Sequence, residues 1–537
     1  MQRRRRRLSR LTGGGALALA ALMLLAQPTA AGPKPKPKTP ACADLASRLP
    51  KSATATLVAA TPTVPAYCQV DVVPERDIHV RIALPLSAAD RGVGGKVSGA
   101  WNGRVINQGG SGYAGIIGTP VFAVQRGEVG SHTDTGHNAA WCDAINPKTG
   151  KPNAQPNCGL AGGGFVLPPG GKLSTSQVRD FINRSLYVQT TWALKLTKTY
   201  YGKEARRNYW AGASTGGRQG WEMAQRYGDL FDGYLIGYPA MNWNRFIIAE
   251  AWPAVVVNDL LGPGGLSPAK SDAANAAAVA ACDDLDGVRD GVIAEPRRCD
   301  FDARKVPGLS AQEAKAVNMI WDGPTDAKGK RLWGGITRGT SFGTLLPGGT
   351  GMGALIETYV RYWLYEDATF DWRSRLTIRN FPEAFAHSQR KFAKTAATDD
   401  TDLSDVRRAR AKIVYYVTTN DPLIVPFGSY NYQQRLFDRY GVKGVRENVR
   451  TFYFPNVAHT EPTLTGPASA QTQLFDALQT WTEGGPAPTS FRQLDRGTGV
   501  QRTICAYPDL ALATTCKPIT KVPSDLAAAS RTAHDPR

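Results

Sequence analysis

Residues 208–227 read NYWAGASTGGRQGWEMAQRY, and the fold turns on how this run is parsed. Asn208 to Ala211 suits a strand end, Gly212-Ala213-Ser214-Thr215-Gly216 is a G-x-S-x-G, and Arg218 to Leu230 carries apolar residues at Trp221, Ala224, Tyr227 and Leu230, as a helix does. A strand, a sharp turn flanked by glycines and a helix together project a strained serine hydroxyl from the carboxyl edge of a parallel sheet. The N-terminus of the helix also favours negative charge developing beside it. Taken alone, the pentapeptide suits an ordinary Gly/Ser turn equally well. The strand-like Tyr234 to Ile236, followed by Gly237-Tyr238-Pro239-Ala240, supplies the context that makes Ser214 a nucleophile.

Working outward, a serine in this setting is followed in chain order by an acid and then a base. Ile413 to Thr418 (IVYYVT) is a β-branched and aromatic run that ends in Asn420-Asp421-Pro422, so Asp421 is the acid; a turn-capping aspartate is the alternative. Val449 to Phe454 is the next strand, and His459 follows it in a loop. The chain has six histidines. His534 is near the C-terminus, His79 is inside a strand-like run and His387 is in the intervening segment, which leaves His459 as base. His132 and His137 of SHTDTGH (131–137) compete for the role, and both read better as structural groups near the site mouth. Upstream, Arg104 to Gln108 leads into Gly109-Gly110-Ser111-Gly112. This loop offers Gly110 N–H to join Thr215 N–H in an oxyanion hole, at about 3 kcal/mol per donor in the transition state. A plain glycine-rich turn is the alternative there.

Strand–helix alternation fills roughly 78–240 and 410–485, whereas 243–405 is rich in Gly, Asp and Ala without it. The fold class is therefore α/β: an α/β-hydrolase core with an inserted lid domain. The segments expected are a signal peptide at 1–31, a Pro/Lys linker at 32–41, the core at 42–242 and 406–520, the lid at 243–405, and a frayed tail at 521–537. Arg3 to Arg7, the apolar Ala16 to Ala26 and Thr29-Ala30-Ala31 form the basic, hydrophobic and cleavage regions of an export signal, secretory or twin-arginine. The mature chain is then secreted, with no membrane span. The six leader arginines reduce the formal charge from +19 to +13, and the remaining surplus is scattered, which excludes a nucleic-acid footprint and leaves general affinity for acidic polymers. Eight cysteines behind an export signal suggest up to four disulfides; they allow 105 pairings, of which sequence neighbours suggest Cys42–Cys68, Cys142–Cys158, Cys282–Cys299 and Cys505–Cys516, and free buried cysteines are the alternative.

WNGRVINQGGSGYAG (101–115), TDTGH (133–137), GASTGGRQGWEMAQRY (212–227), YPAMNW (238–243), CDDLDGVRDGVI (282–293), the Asp421 loop and His459 together resemble the tannase and feruloyl esterase family, which is also similar to mono(2-hydroxyethyl) terephthalate hydrolase. The resemblance implies a lid between nucleophile and acid, and a serine carboxylesterase that hydrolyses esters of hydroxycinnamic or gallic-type acids through an acyl-enzyme. The substrate would be a small-molecule or polysaccharide-linked aromatic ester. Feruloyl esterase-like activity is the main reading; tannase and terephthalate-monoester hydrolase are its alternatives. A secreted peptidase and a catalytically inactive binding protein are readings from further away. Members also commonly bridge cysteines placed directly before the serine and directly after the histidine, where this chain has Ala213 and Thr460. The resemblance further implies a structural calcium ion in the lid, held by Asp283, Asp286 and Asp290 with the Val288 and Val292 carbonyls, Cys282 and Cys299 clamping the loop. The loop departs from the EF-hand register, since Cys282 falls on position one.

Overall fold

Tyr234, Leu235 and Ile236 are all buried, as is every residue from Ile413 to Thr418, so these strands need cover on both faces of their sheet. The computed structural model describes residues 39–75, 77–90, 101–137, 162–168, 171–262, 264–346, 353–497, 499–512 and 514–532. Among them is a nine-stranded sheet of β1 (Thr54–Val58), β2 (Tyr67–Glu75), β3 (Ile78–Pro85), β4 (Arg104–Gln108), β5 (Val129–Thr133), β6 (Arg207–Ala213), β7 (Gly233–Gly237), β8 (Lys412–Thr418) and β9 (Val449–Phe454), in the order β1-β2-β3-β5-β4-β6-β7-β8-β9. Pairing is antiparallel from β1 to β5 and parallel from β5 through β4, β6, β7 and β8 to β9.

Side chains alternate across the sheet with the strand's period of two. Trp210, Tyr234, Ile236, Ile413 and Tyr415 pack on one face with Trp221 and Tyr432. Those of Tyr209, Leu235, Val414 and Tyr416 pack on the other with Phe475 and Leu478. The covering helices are Thr215–Arg226 and Phe427–Arg446 on the first face and Ala470–Thr482 on the second.

Between β7 and β8 the chain forms helices such as Trp243–Ala249, Trp252–Leu261, Pro268–Cys282, Ala311–Asp322 and Phe381–Phe392, and among the described residues it adds no strand to the sheet. Its apolar cluster, with Trp252, Trp333, Trp363 and Phe385, is continuous with Tyr113, Phe181 and Phe427 of the surrounding core. The insert is thus welded to the core rather than packed on a private centre.

Disulfides join Cys42–Cys68, Cys282–Cys299 and Cys505–Cys516, with Cα atoms 5.6, 5.6 and 5.7 Å apart. The Cys142–Cys158 pairing, the leader and the linker up to residue 38 lie outside the described residues. Among those described, no helix is long and apolar enough to cross a membrane. The C-terminal segment departs from the expected frayed tail. Ser524–Ala529 is helical, Val522 and Leu526 are buried against the β8 side of the core, and the Asn431 amide donates to Ser530 O at 3.0 Å. Two apolar side chains and a few polar ties suffice to dock a helix too short to show a period.

Candidate active site

Ser214 sits at the turn from β6 into the helix Thr215–Arg226 with φ 58° and ψ −125°, a region that costs of order 1–3 kcal/mol for a residue with a Cβ. Its neighbours hold it there. A Cβ on Gly212 would lie 2.5 Å from Gly216 O, one on Gly109 2.4 Å from Gly216 Cα, and one on Gly217 2.4 Å from Gly237 O. Glycine is therefore required where three backbone segments meet. Ser214 N–H donates to Gly237 O at 3.0 Å, and the Thr215 hydroxyl donates to Gly112 O, tying the turn to the loop after β4.

Asp421 and His459 arrive from the ends of β8 and β9. Asp421 is fully buried; its Oδ1 accepts the Leu423 and Ile424 amides, both at 2.9 Å, which fixes the carboxylate, and its Oδ2 accepts from His459 Nδ1 at 2.7 Å. That bond leaves Nε2 unprotonated to accept from Ser214 Oγ at 3.0 Å. Tyr238 stands edge-on to the imidazole, ring centroids 5.0 Å apart. The three residues proposed from the sequence are thus in one hydrogen-bonded chain, and neither competing histidine is part of it. Burial pushes His132 and His137 down to about 4, so both are neutral near pH 7. His132 Nδ1 accepts Gly118 N–H at 3.2 Å, and His137 stacks on Phe165 at 3.6 Å.

The Gly110 amide, expected to stand free for a substrate oxygen, donates to Gln219 Oε1 at 2.8 Å, while Gly109 N–H goes to Ala211 O. Gln219 lies one turn past Ser214 on the same helix and reaches the loop across 109 positions of sequence, a contact no local pattern shows. Thr215, first residue of its helix, has an amide with no intrahelical acceptor, as such a donor requires.

Two cavities flank Ser214 and His459. One, of about 440 Å³, is bounded by Gly109, Gly110, Gly118, His132, Ala213 and Tyr238. The other, of about 280 Å³, lies against Thr215, Trp243, Phe246, Ile247, Glu250, Leu355, Leu423 and Ile424. Glu250 went unremarked in the sequence, although a lone acid inside FIIAEAWPAVVV (246–257) is a visible anomaly.

In the aspartate loop, Asp283 Oδ1 accepts the amides of Asp290, Gly291 and Val292 at 3.0, 2.9 and 3.1 Å, and Asp286 Oδ1 accepts Val288 N–H at 3.0 Å. The donor chemistry suits a hard cation: burial and the charges of Asp290 and Asp283 push the Asp286 carboxyl up, a strain that a cation relieves. The placement is closed on protein donors instead. Asp290 Oδ2 accepts from Arg502 Nη2 at 2.5 Å, and among the described residues no three His, Cys, Asp or Glu side chains converge as a metal cluster.

Fold and site together define an α/β-hydrolase with its serine on the nucleophile turn. The family model described as "Tannase and feruloyl esterase" matches residues 96–344 and 351–521, and the chain belongs to that family. A "Probable feruloyl esterase" of Arthroderma benhamiae is 30% identical over 434 residues, 76% of this chain and 77% of that protein. Among solved structures, feruloyl esterase B from Aspergillus oryzae is similar with a TM-score of 0.69 at 22% identity, over 87% of this chain and 95% of its own. The tannin acyl hydrolase from Aspergillus niger is similar with 0.71 at 21%, over 92% and 98%. At such identities the two structures speak for the fold, and family membership makes the chain a carboxylic ester hydrolase.

Proposed function

We propose that the protein is a secreted serine esterase, feruloyl esterase-like, that hydrolyses esters of aromatic acids through an acyl-enzyme on Ser214. The carrying observation is the Ser214–His459–Asp421 chain, at 3.0 and 2.7 Å, opening onto a cavity walled by Trp243 and Phe246. His459 Nε2 takes the Ser214 proton as Oγ attacks the ester carbonyl, and Asp421 holds the imidazole's tautomer and stabilises the imidazolium. Thr215 N–H and the loop after β4 receive the oxyanion; Gly110 N–H joins them by exchanging Gln219 Oε1 for the substrate oxygen. His459 then returns the proton to the leaving alcohol, and water, deprotonated by the same nitrogen, releases the acid. A hydrolysis panel of methyl ferulate, methyl gallate, a terephthalate monoester and a short aliphatic ester tests the reading. The hydroxycinnamate is expected to give the highest kcat/KM, and preference for the aliphatic ester would overturn it.

The reading includes a structural calcium ion at the aspartate loop, with Asp290 exchanging Arg502 for the cation and Asp283, Asp286 and the Val288 and Val292 carbonyls completing the set. Support comes from the Asp286 carboxyl, pushed up by burial and by the charges of Asp290 and Asp283. Chelation is expected to lower the Tm by a few degrees, with activity at 25 °C unchanged, and calcium to restore it. A Tm indifferent to both would remove the ion.

A further inference from the structure

Glu250 is 6% exposed, and neither carboxyl oxygen has a hydrogen-bond partner among the described residues. Buried polar groups almost always have one, so a doubly orphaned carboxyl asks for a ligand. It follows the helix Trp243–Ala249 and lies between two hollows: the 280 Å³ cavity beside Ser214, and a void of about 10 Å³ bounded by Trp252, Ile320, Pro422 and Val425, room for one water. Burial, and behind it the charge of Asp421, push its carboxyl well up, which favours the protonated form. A neutral carboxyl presents one O–H donor and one carbonyl acceptor side by side. Away from Ser111 and the catalytic groups Ser214, Thr215 and His459, the cavity wall is apolar at Trp243, Phe246, Ile247, Leu355, Leu423 and Ile424, and among the described residues no lysine or arginine lines it.

Resting on the esterase reading above, we infer that Glu250 is the specificity-determining group of the acyl pocket, hydrogen-bonding a neutral hydroxyl on the ring of an aromatic acyl group. A ring hydroxyl donates and accepts at one atom, which matches the carboxyl, whereas the apolar walls take the ring faces. An acyl group that ends in a carboxylate finds no cation here and meets Asp421's field, so the same pocket disfavours terephthalate monoesters. A site built around a buried polar group discriminates strongly against ligands lacking the matching group, because that group is then left unpaired.

The test is kcat/KM for methyl 4-hydroxycinnamate, methyl 4-methoxycinnamate and methyl cinnamate on the full chain and on Glu250→Gln and Glu250→Leu. The parent is expected to favour the hydroxylated ester by about tenfold or more. Glu250→Gln, which keeps a donor and an acceptor, should retain most of that ratio, while Glu250→Leu should collapse it to within about threefold. A purely structural glutamate would move all three esters alike. A parent without hydroxyl preference, or a Leu variant that keeps it, overturns the inference and leaves Glu250 with a water in the small void. If Glu250→Leu fails to fold, binding of 4-hydroxycinnamate against cinnamate to Ser214→Ala decides: preference of about tenfold supports the pairing, equal binding overturns it. Absence of any Ser214-dependent turnover of aromatic esters would instead sink the parent reading.

Discussion

The two cavities beside Ser214 are built from different parts of the chain. The larger is walled by Gly109, Gly110, His132, Ala213 and Tyr238, from the last residues of sheet strands and the loops after them. The smaller is walled by Trp243, Phe246, Ile247, Glu250 and Leu355 of the insert, with Leu423 and Ile424 held by the acid's own amide bonds. On the sheet side, sterics leave one conformation: Gly109, Gly212 and Gly216 pack so closely that no Cβ fits at the first two. On the insert side, the wall is helices whose side chains can vary without moving the triad. Chemistry and selectivity are thereby carried by separable segments, and each prediction below tries that separation.

The largest effect belongs to the sheet side. Ser214→Ala and His459→Ala should each cost about four to six orders of magnitude in kcat on every ester, and the double variant no more than either alone, because the residues act as one unit. Kinetics on two unlike esters check this; either variant within tenfold of the parent would dismantle the site. On the insert side, Leu355→Ala should shift the ratio of kcat/KM between an aromatic and an acetyl ester by about tenfold. An unchanged ratio would mean that the insert does not sort substrates.

How much was legible in the sequence follows the same division. β4 and β9 run over Arg104–Gln108 and Val449–Phe454, the ranges their β-branched and aromatic patterns suggest, and β8 begins one residue early at Lys412. These elements are local: alternation and flanking turns define them. The helix after Ser214 starts at Thr215 and stops at Arg226, short of the Leu230 that its apolar spacing suggested. Tyr227 instead takes φ −140°, and Leu230 N–H donates to Tyr227 O at 3.0 Å in the turn that leads into β7. The engaged Gly110 amide was illegible because it depends on a side chain reaching across a fold not yet assembled. The insert was legible only as an absence of pattern: helices such as Trp252–Leu261, apolar nearly all round, carry no amphipathic signal.

A smaller effect concerns the TDTGH segment on the sheet side. Burial raises the Asp134 carboxyl from its ordinary 3.8 to about 7, although the His79 and Gly136 amides, both at 3.0 Å, oppose it. The folded state therefore binds a proton more readily than the unfolded chain between pH 4 and 7, and stability falls as pH rises through that window, then levels. The ceiling on this loss is about 4 kcal/mol. Asp134→Asn keeps an acceptor for both amides without the charge. Its Tm advantage over the parent should widen from pH 4 to 7 and stay constant above; an advantage independent of pH would remove Asp134 from the titration.

The smallest effect bears on how tightly the serine and histidine loops are already joined. Ser214 Oγ and His459 Nε2 meet at 3.0 Å, and their chain neighbours Ala213 and Thr460 are expected to lie near each other across the same gap. A disulfide needs Cα atoms about 4.4–6.8 Å apart. Ala213→Cys with Thr460→Cys should therefore oxidise in an oxidising medium and close a loop of roughly 250 residues, with a chain-entropy ceiling of about 5 kcal/mol. The expected gain is only about 1 kcal/mol, because fitting two sulfurs between packed loops introduces strain that offsets the entropy. Ala213 also lines the larger cavity, so the sulfur narrows it, and KM should rise for esters whose bulk extends into that cavity before kcat changes. Non-reducing peptide mapping, read beside Tm, gives the answer. Two free thiols would show that the loops meet only through their side chains, and that the sheet side of the site has more play than its glycine contacts suggest.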